Sequence, residues 1–408
     1  MIPDDPNPAD FDPSKPLSGI RVLDLTNVLS GPFACHQLAH LGADVIKIER
    51  PGSGDLARQL GADPDLNAKN MGVSFLAQNA GKASVCLNLK DARGVELLKR
   101  LAAEADVLVE NYRPGVMERL GVGAETLRAV NPQLIYCAIS GFGQDGPWKD
   151  RPAYDQIVQG LAGVMSVTGA PDGDPLRVGF PIADTVGGLT AAFAITAALN
   201  APKRGCVIDV SMLEATLSTM AWAISNFLIA GVAPQQFGNE NPTSAPSGAF
   251  RAADGFLNIA ANKDQQWTAL AQHLGRDDLL IRPDFATRED RKRNRLVLRA
   301  ELETVLVTRP AADWARELND VGVPAGAIMT VPDILSHSQI TERGFLATYQ
   351  SDSLDMPIRA VRTGIKMNDA APHVADAPPA LGADTARILG AIGVSEADLK
   401  DLKAGGVI

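Results

Sequence analysis

Short apolar runs alternate with helical patterns through the first half of the chain. Ile20-Arg-Val-Leu-Asp-Leu-Thr26, Ala43-Asp-Val-Ile-Lys-Ile-Glu49, Ser84-Val-Cys-Leu-Asn-Leu89, Asp106-Val-Leu-Val109 and Leu134-Ile-Tyr-Cys-Ala-Ile139 read as strands. Between the first two, Gly31 to Leu41 has the spacing of a helix, with Pro32 in its first turn and Gly42 at its end. Asp91 caps a further helix running to about Glu104. The first strand, helix and second strand together have the length of one βαβ unit, so the pattern predicts an α/β fold around a parallel sheet.

The pattern changes near Tyr154. Tyr154–Val167 and Asp184–Leu199 read as helices, the second rich in Ala, Gly and Thr, and Cys206–Val210 as a strand. Ser211-Met-Leu-Glu214 is a capping-box pattern opening an uncharged stretch, Ala215–Asn239. That stretch is long enough to span a bilayer, but its Thr, Ser and Asn residues favour a buried core helix. A Gly-, Pro- and Asn-rich segment at 231–248 marks a boundary or a functional loop. Phe256–Ala260 then reads as a strand, and Gln265–Leu274, Asp290–Val307 and Ala311–Val321 as helices. Two more helices close the chain, near Asp384–Ile392 and Glu396–Lys403. The expected organisation is a flexible arm over 1–16, a large Rossmann-like domain over 17–228, a smaller α+β domain over 229–325, and a segment over 326–408 returning to the large domain.

The 408 residues suit two or three domains. With 38 Lys plus Arg against 48 Asp plus Glu, the net charge of −10 argues against nucleic acid or an anionic membrane as partner. It leaves room for a local basic pocket. Cys35, Cys86, Cys137 and Cys206 are widely spaced, which fits buried thiols of a reduced, cytoplasmic chain rather than a disulfide framework or a zinc site. Among the five histidines only His36 and His40 are four apart, without the H-E-x-x-H pattern, so no metal site is expected. The acidic, Pro-rich start lacks the layout of a signal peptide. Arginines and Lys292 at 288–299 read as a solvated helix face, with Leu296, Leu298 and Leu302 turned inward.

P-loop and nucleophile-elbow motifs are missing, which leaves four local features. Ile46-Lys-Ile-Glu-Arg-Pro-Gly52 ends a strand in Arg50, a phosphate ligand or merely a solvated arginine. Asn79-Ala-Gly-Lys82 is a turn before a strand, in which Gly81 allows close backbone approach and Lys82 adds charge; a plain turn fits as well. Glu110-Asn-Tyr-Arg-Pro-Gly115, followed by Arg119, combines an aromatic ring, bases and a turn at a strand end. Gly179-Phe-Pro-Ile-Ala-Asp184-Thr-Val-Gly-Gly188 places one acid at a helix start, with two glycines that leave room for a bulky reactant; a simple N-cap aspartate is the alternative.

In this order and at these distances the four features resemble the class III CoA-transferases, the CaiB/BaiF-like superfamily of formyl-CoA and carnitine CoA-transferases. The matching text includes Pro16-Leu-Ser-Gly-Ile-Arg-Val-Leu-Asp-Leu25, Gly42-Ala-Asp-Val-Ile-Lys-Ile-Glu-Arg-Pro-Gly52, Asn111-Tyr-Arg-Pro-Gly115, Gly141-Phe-Gly-Gln-Asp-Gly-Pro147 and the Leu381-to-Leu402 ending. The resemblance covers nearly the whole chain after the arm. It implies a CoA-transferase with Asp184 as nucleophile, passing through an aspartyl-CoA thioester. It implies CoA contacts at Arg50, Gln78, Asn79, Ala80, Gly81, Lys82, Asn111, Tyr112, Arg113 and Arg119, and substrate contacts at Leu29, Gly141, Phe142 and Gln144. It further implies an interlinked, ring-like homodimer. CoA and acyl-CoA are then substrates, with no permanently bound cofactor.

Leu29 stands where formate-handling members carry Gln, and Phe237-Gly-Asn-Glu-Asn-Pro-Thr-Ser-Ala-Pro-Ser-Gly248 replaces their glycine-rich lid. The expected exchange therefore shifts from formyl and oxalate to succinyl-CoA, or a similar donor, with a short dicarboxylic or hydroxy acid. Arg177, Arg251 or Asn262 are candidates for a remote carboxylate. Gly187, Gly188 or the 238–248 loop are candidates for stabilising an oxyanion. Two alternatives remain: an α-methylacyl-CoA racemase of the same superfamily, whose histidine position is occupied here by Tyr154, and a non-catalytic CoA-binding protein.

Overall fold

The computed structural model describes residues 12–351 and 353–408. Most of the expected arm, residues 1–11, lies outside them. Described residues fall into two compact units: a larger one of 12–164, 177–232 and 339–408, and a smaller one of 165–176 and 233–338. The sequence reading placed the small domain at 229–325. The short 165–176 piece joins the smaller unit through the Gly238 N–H to Gly169 carbonyl bond and the Gln236 side chain, which donates to the Thr168 carbonyl at 2.8 Å.

The larger unit is built on a six-stranded sheet: β1 (Arg21–Leu25), β2 (Asp44–Glu49), β3 (Lys82–Cys86), β4 (Val107–Glu110), β5 (Ile135–Ser140) and β6 (Val207–Ser211). All neighbours are parallel, in the order β3-β2-β1-β4-β5-β6. Successive residues point to opposite faces, so Val22, Val45, Val107 and Val109 enter one core and Leu23, Ile46 and Leu108 the other. Both faces being covered explains why these strands read as continuous apolar runs. Ser30–His40 and Ile182–Leu199 contribute to the first core; Ala92–Ala103 and the C-terminal helices Thr385–Ala391 and Glu396–Ala404 contribute to the second. Strand order reverses between β1 and β4, which makes the loops after them the crevice of a doubly wound sheet. A hairpin, β10 (Leu346–Tyr349) with β11 (Ile358–Val361), adds Tyr349 and Ile358 to the first core.

The smaller unit carries a three-stranded antiparallel sheet of β7 (Ser247–Arg251), β8 (Phe256–Ala260) and β9 (Ala325–Ala327), with a core including Trp267, Leu298, Leu302 and Trp314. Its basic run departs from the expected solvated face. The helix breaks at Asn294 into Arg288–Arg293 and Arg295–Leu306. Arg291 is buried on Asp264 and lies over Trp267, Arg299 pairs with Glu240, and Leu296 is exposed. The charges are largely consumed inside the unit.

The uncharged stretch after Ser211 is not a buried core helix. It breaks at Met220 into Met212–Thr219 and Ala221–Ala230, and the second piece has no buried residue. Among the described residues one helix has the length and composition to cross a membrane, Ile182–Leu199. It carries Asp184 in its first turn and buries Ala183, Gly187, Gly188, Ala191 and Ile195.

Between the carboxyl-terminal halves of β1 and β2 and the start of β3 lies a buried set of six charges. Lys47 Nζ is 2.9 Å from Asp55, and Lys82 Nζ is 2.8 Å from Asp24. Arg58 grips both oxygens of Glu49 at 2.7 Å and stacks over Phe75. Three carboxylates and three cations sum to zero, the condition under which buried charges are tolerated. Burial alone pushes Asp24 up, but Lys47 and Lys82 outweigh it and hold it at about 2. Asp24 thus stabilises the fold fully above pH ~4, its unfolded value, and the contribution is lost as pH falls through about 2. Replacing Arg58 with Ala takes from Glu49 its directly bonded counter-ion, leaving only the field of Lys47, and is expected to destabilise the chain by about 3–5 kcal/mol, read as a lower urea midpoint with unchanged slope. A shift under 1 kcal/mol would show the set to be dispensable.

Candidate active site

The site is assembled from three loops at the carboxyl end of the sheet. After β1, Thr26–Leu29 leads into helix Ser30–His40. Val28 adopts φ +66°, a left-handed conformation costly for a β-branched residue, by about 1–3 kcal/mol. Asp55 accepts its N–H at 2.9 Å, Lys47 donates to the Thr26 carbonyl at 2.8 Å, and Asp24 accepts the Thr26 N–H at 3.0 Å. The buried charge set therefore holds the strained loop. From the loop after β4, Asn111 clamps it from the other side: its amide oxygen accepts the Asn27 N–H and its nitrogen donates to the Asn27 carbonyl, both at 2.8 Å.

Two neighbouring cavities result. One, of about 340 Å³, is lined by Arg50, Ser53, Gly54, Gln59, Asn27 and Tyr112 among others. The second, of about 170 Å³, contains Leu29, Asn111, Tyr112, Arg113, Gly141, Tyr154 and Asp184. Asn27 and Tyr112 belong to both walls. The arrangement thus brings together, in adjoining spaces, seven of the residues expected at a CoA and substrate site: Arg50, Asn111, Tyr112, Arg113, Leu29, Gly141 and Asp184.

Asp184 is not the N-cap of its helix. Pro181 holds that position, and the capping carboxylate comes from Asp155, which accepts the N–H groups of Ala183 at 2.8 Å and Asp184 at 3.3 Å. Gln159 donates to the other Asp155 oxygen at 2.6 Å, and its own oxygen accepts the Val178 N–H. Asp184 is left half-buried and without an ion pair among the described residues. Burial, with the Asp155 charge second, raises it to about 7.

Several expected residues go elsewhere. β3 begins at Lys82, so the side chain enters the core and is bound by Asp24, Asn79 and the Pro32 carbonyl; it is 4% exposed and unable to reach a phosphate. Asn79 and Ala80 are buried beside it, and Gly81, at φ +72°, donates to the Asp376 carbonyl. Gln78 lines a different cavity, with His36 and Arg362. Arg119 is exposed and outside both cavities; Phe142, packed edge-on against Trp148, and Gln144, whose N–H goes to Asp209, are half-buried and also outside them. Gly187 and Gly188 do not leave room for a reactant. A Cβ on Gly187 would meet Met212 at 2.9 Å, and one on Gly188 the Ser30 carbonyl at 2.5 Å, so both serve close helix packing. Arg177 is exposed and not in the lining, while Arg251 and Asn262 belong to the smaller unit. His36 and His40 stack at 4.3 Å, and burial pushes both down, His40 to about 4. Among the described residues no group of three or more His, Cys, Asp or Glu is placed to hold a metal.

Sequence reasoning missed Asp155 as the cap, Asn27 and Val28 as walls, and Lys149 and Arg151 in the lining. Asp155 was visible only as the neighbour of Tyr154 in the racemase comparison; the capping partner lies 29 residues from Asp184 in sequence.

Fold and site together define a doubly wound α/β protein with a half-buried, unpaired carboxylate at its switch-point crevice. The profile of CoA-transferase family III matches residues 17–385. A succinyl-CoA:glutarate CoA-transferase of Mus musculus is 36% identical, over 98% of this chain and 92% of its own. An acetyl-CoA:oxalate CoA-transferase of Acetobacter aceti is 41% identical, over 86% and 90%. The crystal structure of a CaiB/BaiF family protein from Brucella suis superposes with a TM-score of 0.81 at 35% identity, covering 93% of this chain and 100% of that one. The chain belongs to CoA-transferase family III and is a CoA-transferase.

Carbon-13 NMR of labelled aspartate is expected to place the Asp184 midpoint near pH 7. In Asp155→Asn, which keeps an oxygen for the cap, the midpoint moves down because a like charge is gone. An unmoved midpoint would show that Asp155 contributes only the cap.

Proposed function

We propose that this chain moves CoA from an acyl-CoA, succinyl-CoA or a similar donor, to a short dicarboxylic or hydroxy acid, with Asp184 as nucleophile. An Asp184 oxygen attacks the thioester carbonyl, the C–S bond breaks, and CoA thiolate leaves an acyl-aspartyl anhydride. The thiolate then attacks the Asp184 acyl carbon, expelling the donor acid as carboxylate and forming an aspartyl-CoA thioester. The acceptor carboxylate enters by the reverse steps, with Asp184 regenerated. Each step exchanges one acyl bond for another, so neither metal nor ATP is required, and we assign the protein no resident cofactor. The observation that carries this reading is an unpaired carboxylate in a cavity that adjoins a second one bearing Arg50. A raised carboxyl is a stronger nucleophile once ionised, and the fraction ionised remains substantial at neutral pH.

Both cavities lie in the larger unit, to which we assign CoA binding. The CoA nucleotide end is assigned to the Arg50 cavity, the pantetheine arm to the passage beside Tyr112, and the thioester to Asp184. Arg113 supplies charge on the way. Oxalate, named for the Acetobacter relative, and glutarate, named for the mouse one, both belong to the diacid class. None of the five histidines lines the Asp184 cavity, which weighs against the proton transfer of a racemase.

We further assign a cytoplasmic homodimer, interlinked as the resemblance implies, with neither nucleic acid nor membrane as partner. Four free cysteines support the compartment. The dimer is supported by helix Ala221–Ala230, where Trp222, Leu228 and Ile229 are 82%, 74% and 86% exposed, an apolar surface of the kind that marks an interface.

Asp184→Ala is expected to lower exchange by roughly 10³-fold or more while CoA still binds. In the native chain, hydroxylamine added after acyl-CoA alone should leave a hydroxamate at Asp184, seen by peptide mass. Full exchange in Asp184→Ala overturns the mechanism. Below about pH 7, kcat/KM for acyl-CoA should fall tenfold per pH unit and level off above it. Light scattering should report a dimer, and Trp222→Glu with Ile229→Glu a monomer; a native monomer would overturn the assembly.

A further inference from the structure

The lining of the Asp184 cavity is electrostatically lopsided. Asp184 is its one carboxylate, against three cations: Arg113, Lys149 and Arg151. Arg113 comes from the loop after β4, beside the Tyr112 passage. Lys149 and Arg151 come from the loop between β5 and helix Asp155–Leu161. Among the described residues neither forms an ion pair, although Asp145 and Asp150 lie on the same loop.

Arg151 is held in place. Its guanidinium lies 4.7 Å from the Trp148 ring centroid, and the Arg151 backbone N–H donates to the Trp148 carbonyl at 2.9 Å. Trp148 is itself braced edge-on against Phe142 at 5.6 Å. A guanidinium lying over an aromatic face keeps N–H groups at its edge for a two-pronged bond to a carboxylate. Lys149 adds a point charge beside it. At about 10–15 Å³ of such space per water-sized group, a 170 Å³ cavity takes on the order of a dozen non-hydrogen atoms. That suits a small diacid and is far too little for CoA.

We infer that Arg151, assisted by Lys149, receives the remote carboxylate of a four- or five-carbon dicarboxylic acceptor whose other carboxylate reacts at Asp184. The inference rests on the transfer reaction proposed above. A monocarboxylic acid of equal length leaves Arg151 without its partner and loses the charge-assisted hydrogen bonds.

The test uses the full-length protein, propionyl-CoA as donor, whose acyl group carries no remote carboxylate, and matched acceptors: glutarate against valerate, and succinate against butyrate. The native enzyme should favour the diacid of each pair by roughly 10- to 100-fold in kcat/KM. Arg151→Gln should remove most of that preference by raising the diacid KM, leaving valerate turnover and the KM for acyl-CoA within about twofold. Arg151→Lys should restore part of it. Equal loss for both acid classes would make Arg151 structural. A raised KM for acyl-CoA with the acid preference intact would assign the cations to CoA phosphates. Either result overturns the inference, as does a native enzyme that transfers CoA equally well to both acid classes. Absence of CoA transfer to any acid defeats the reaction reading itself, and is distinguished by the missing CoA-acid products.

Discussion

Everything at the site hangs from the buried charge set among β1, β2 and β3. Lys47 and Asp55 do more than neutralise one another. Lys47 also donates to the Thr26 carbonyl, and the Asp55 carboxylate accepts the Val28 and Ala57 N–H groups while its backbone N–H donates to Glu49. The loop that walls both cavities is thus tied to charges that cannot move without leaving a buried ion unpaired. That rigidity is what lets Val28 remain at a positive φ. The set reaches the C-terminal segment too, since Arg58 donates to the Pro379 carbonyl and Ser84 links Glu49 to the Gly382 N–H. The chain's last stretch is locked to the sheet by the same charges that shape the crevice.

Two aspartates in this unit show how partners decide what burial does. Asp24 and Asp184 are both withdrawn from water. Asp24 faces two ammonium groups and is held at about 2; Asp184 makes no ion pair among the described residues, and burial, with the Asp155 charge second, raises it to about 7. The first is structural and permanently charged. The second stays close to its protonation midpoint at neutral pH, which suits the nucleophile role we propose for it. The fold spends Lys47 and Lys82 on holding the loop and leaves Asp184 without an ion pair among the described residues.

The sheet was legible from the sequence because strands covered on both faces are apolar at most positions, and each reads without reference to its neighbours. Residues whose role is set by the chain on either side of them, such as Arg50, Asn111–Arg113 and Asp184, were legible as strand ends and a helix start. Failures follow a common cause. Lys82 reads as a turn residue by its Gly81 neighbour, but the strand starts at Lys82 and Asp24, 58 residues away, draws it inward. Gly187 and Gly188 read as open space, but Met212 and Ser30 fill it. The Ala221–Ala230 helix reads as core because it is apolar, yet none of its residues is buried by the described residues.

The sequence by itself determined the parallel sheet, the order of its elements, and a single acid at the start of a Gly-rich helix, because each depends on periodicity or on neighbours a few residues apart. Only the tertiary structure decided which charges are structural and which are exposed to a ligand. It alone showed that Asp155 caps the Asp184 helix and that Lys149 and Arg151 line its cavity. Those outcomes depend on which side chains meet across distant segments, and burial changes the energy of a charge by more than any local preference of the chain can.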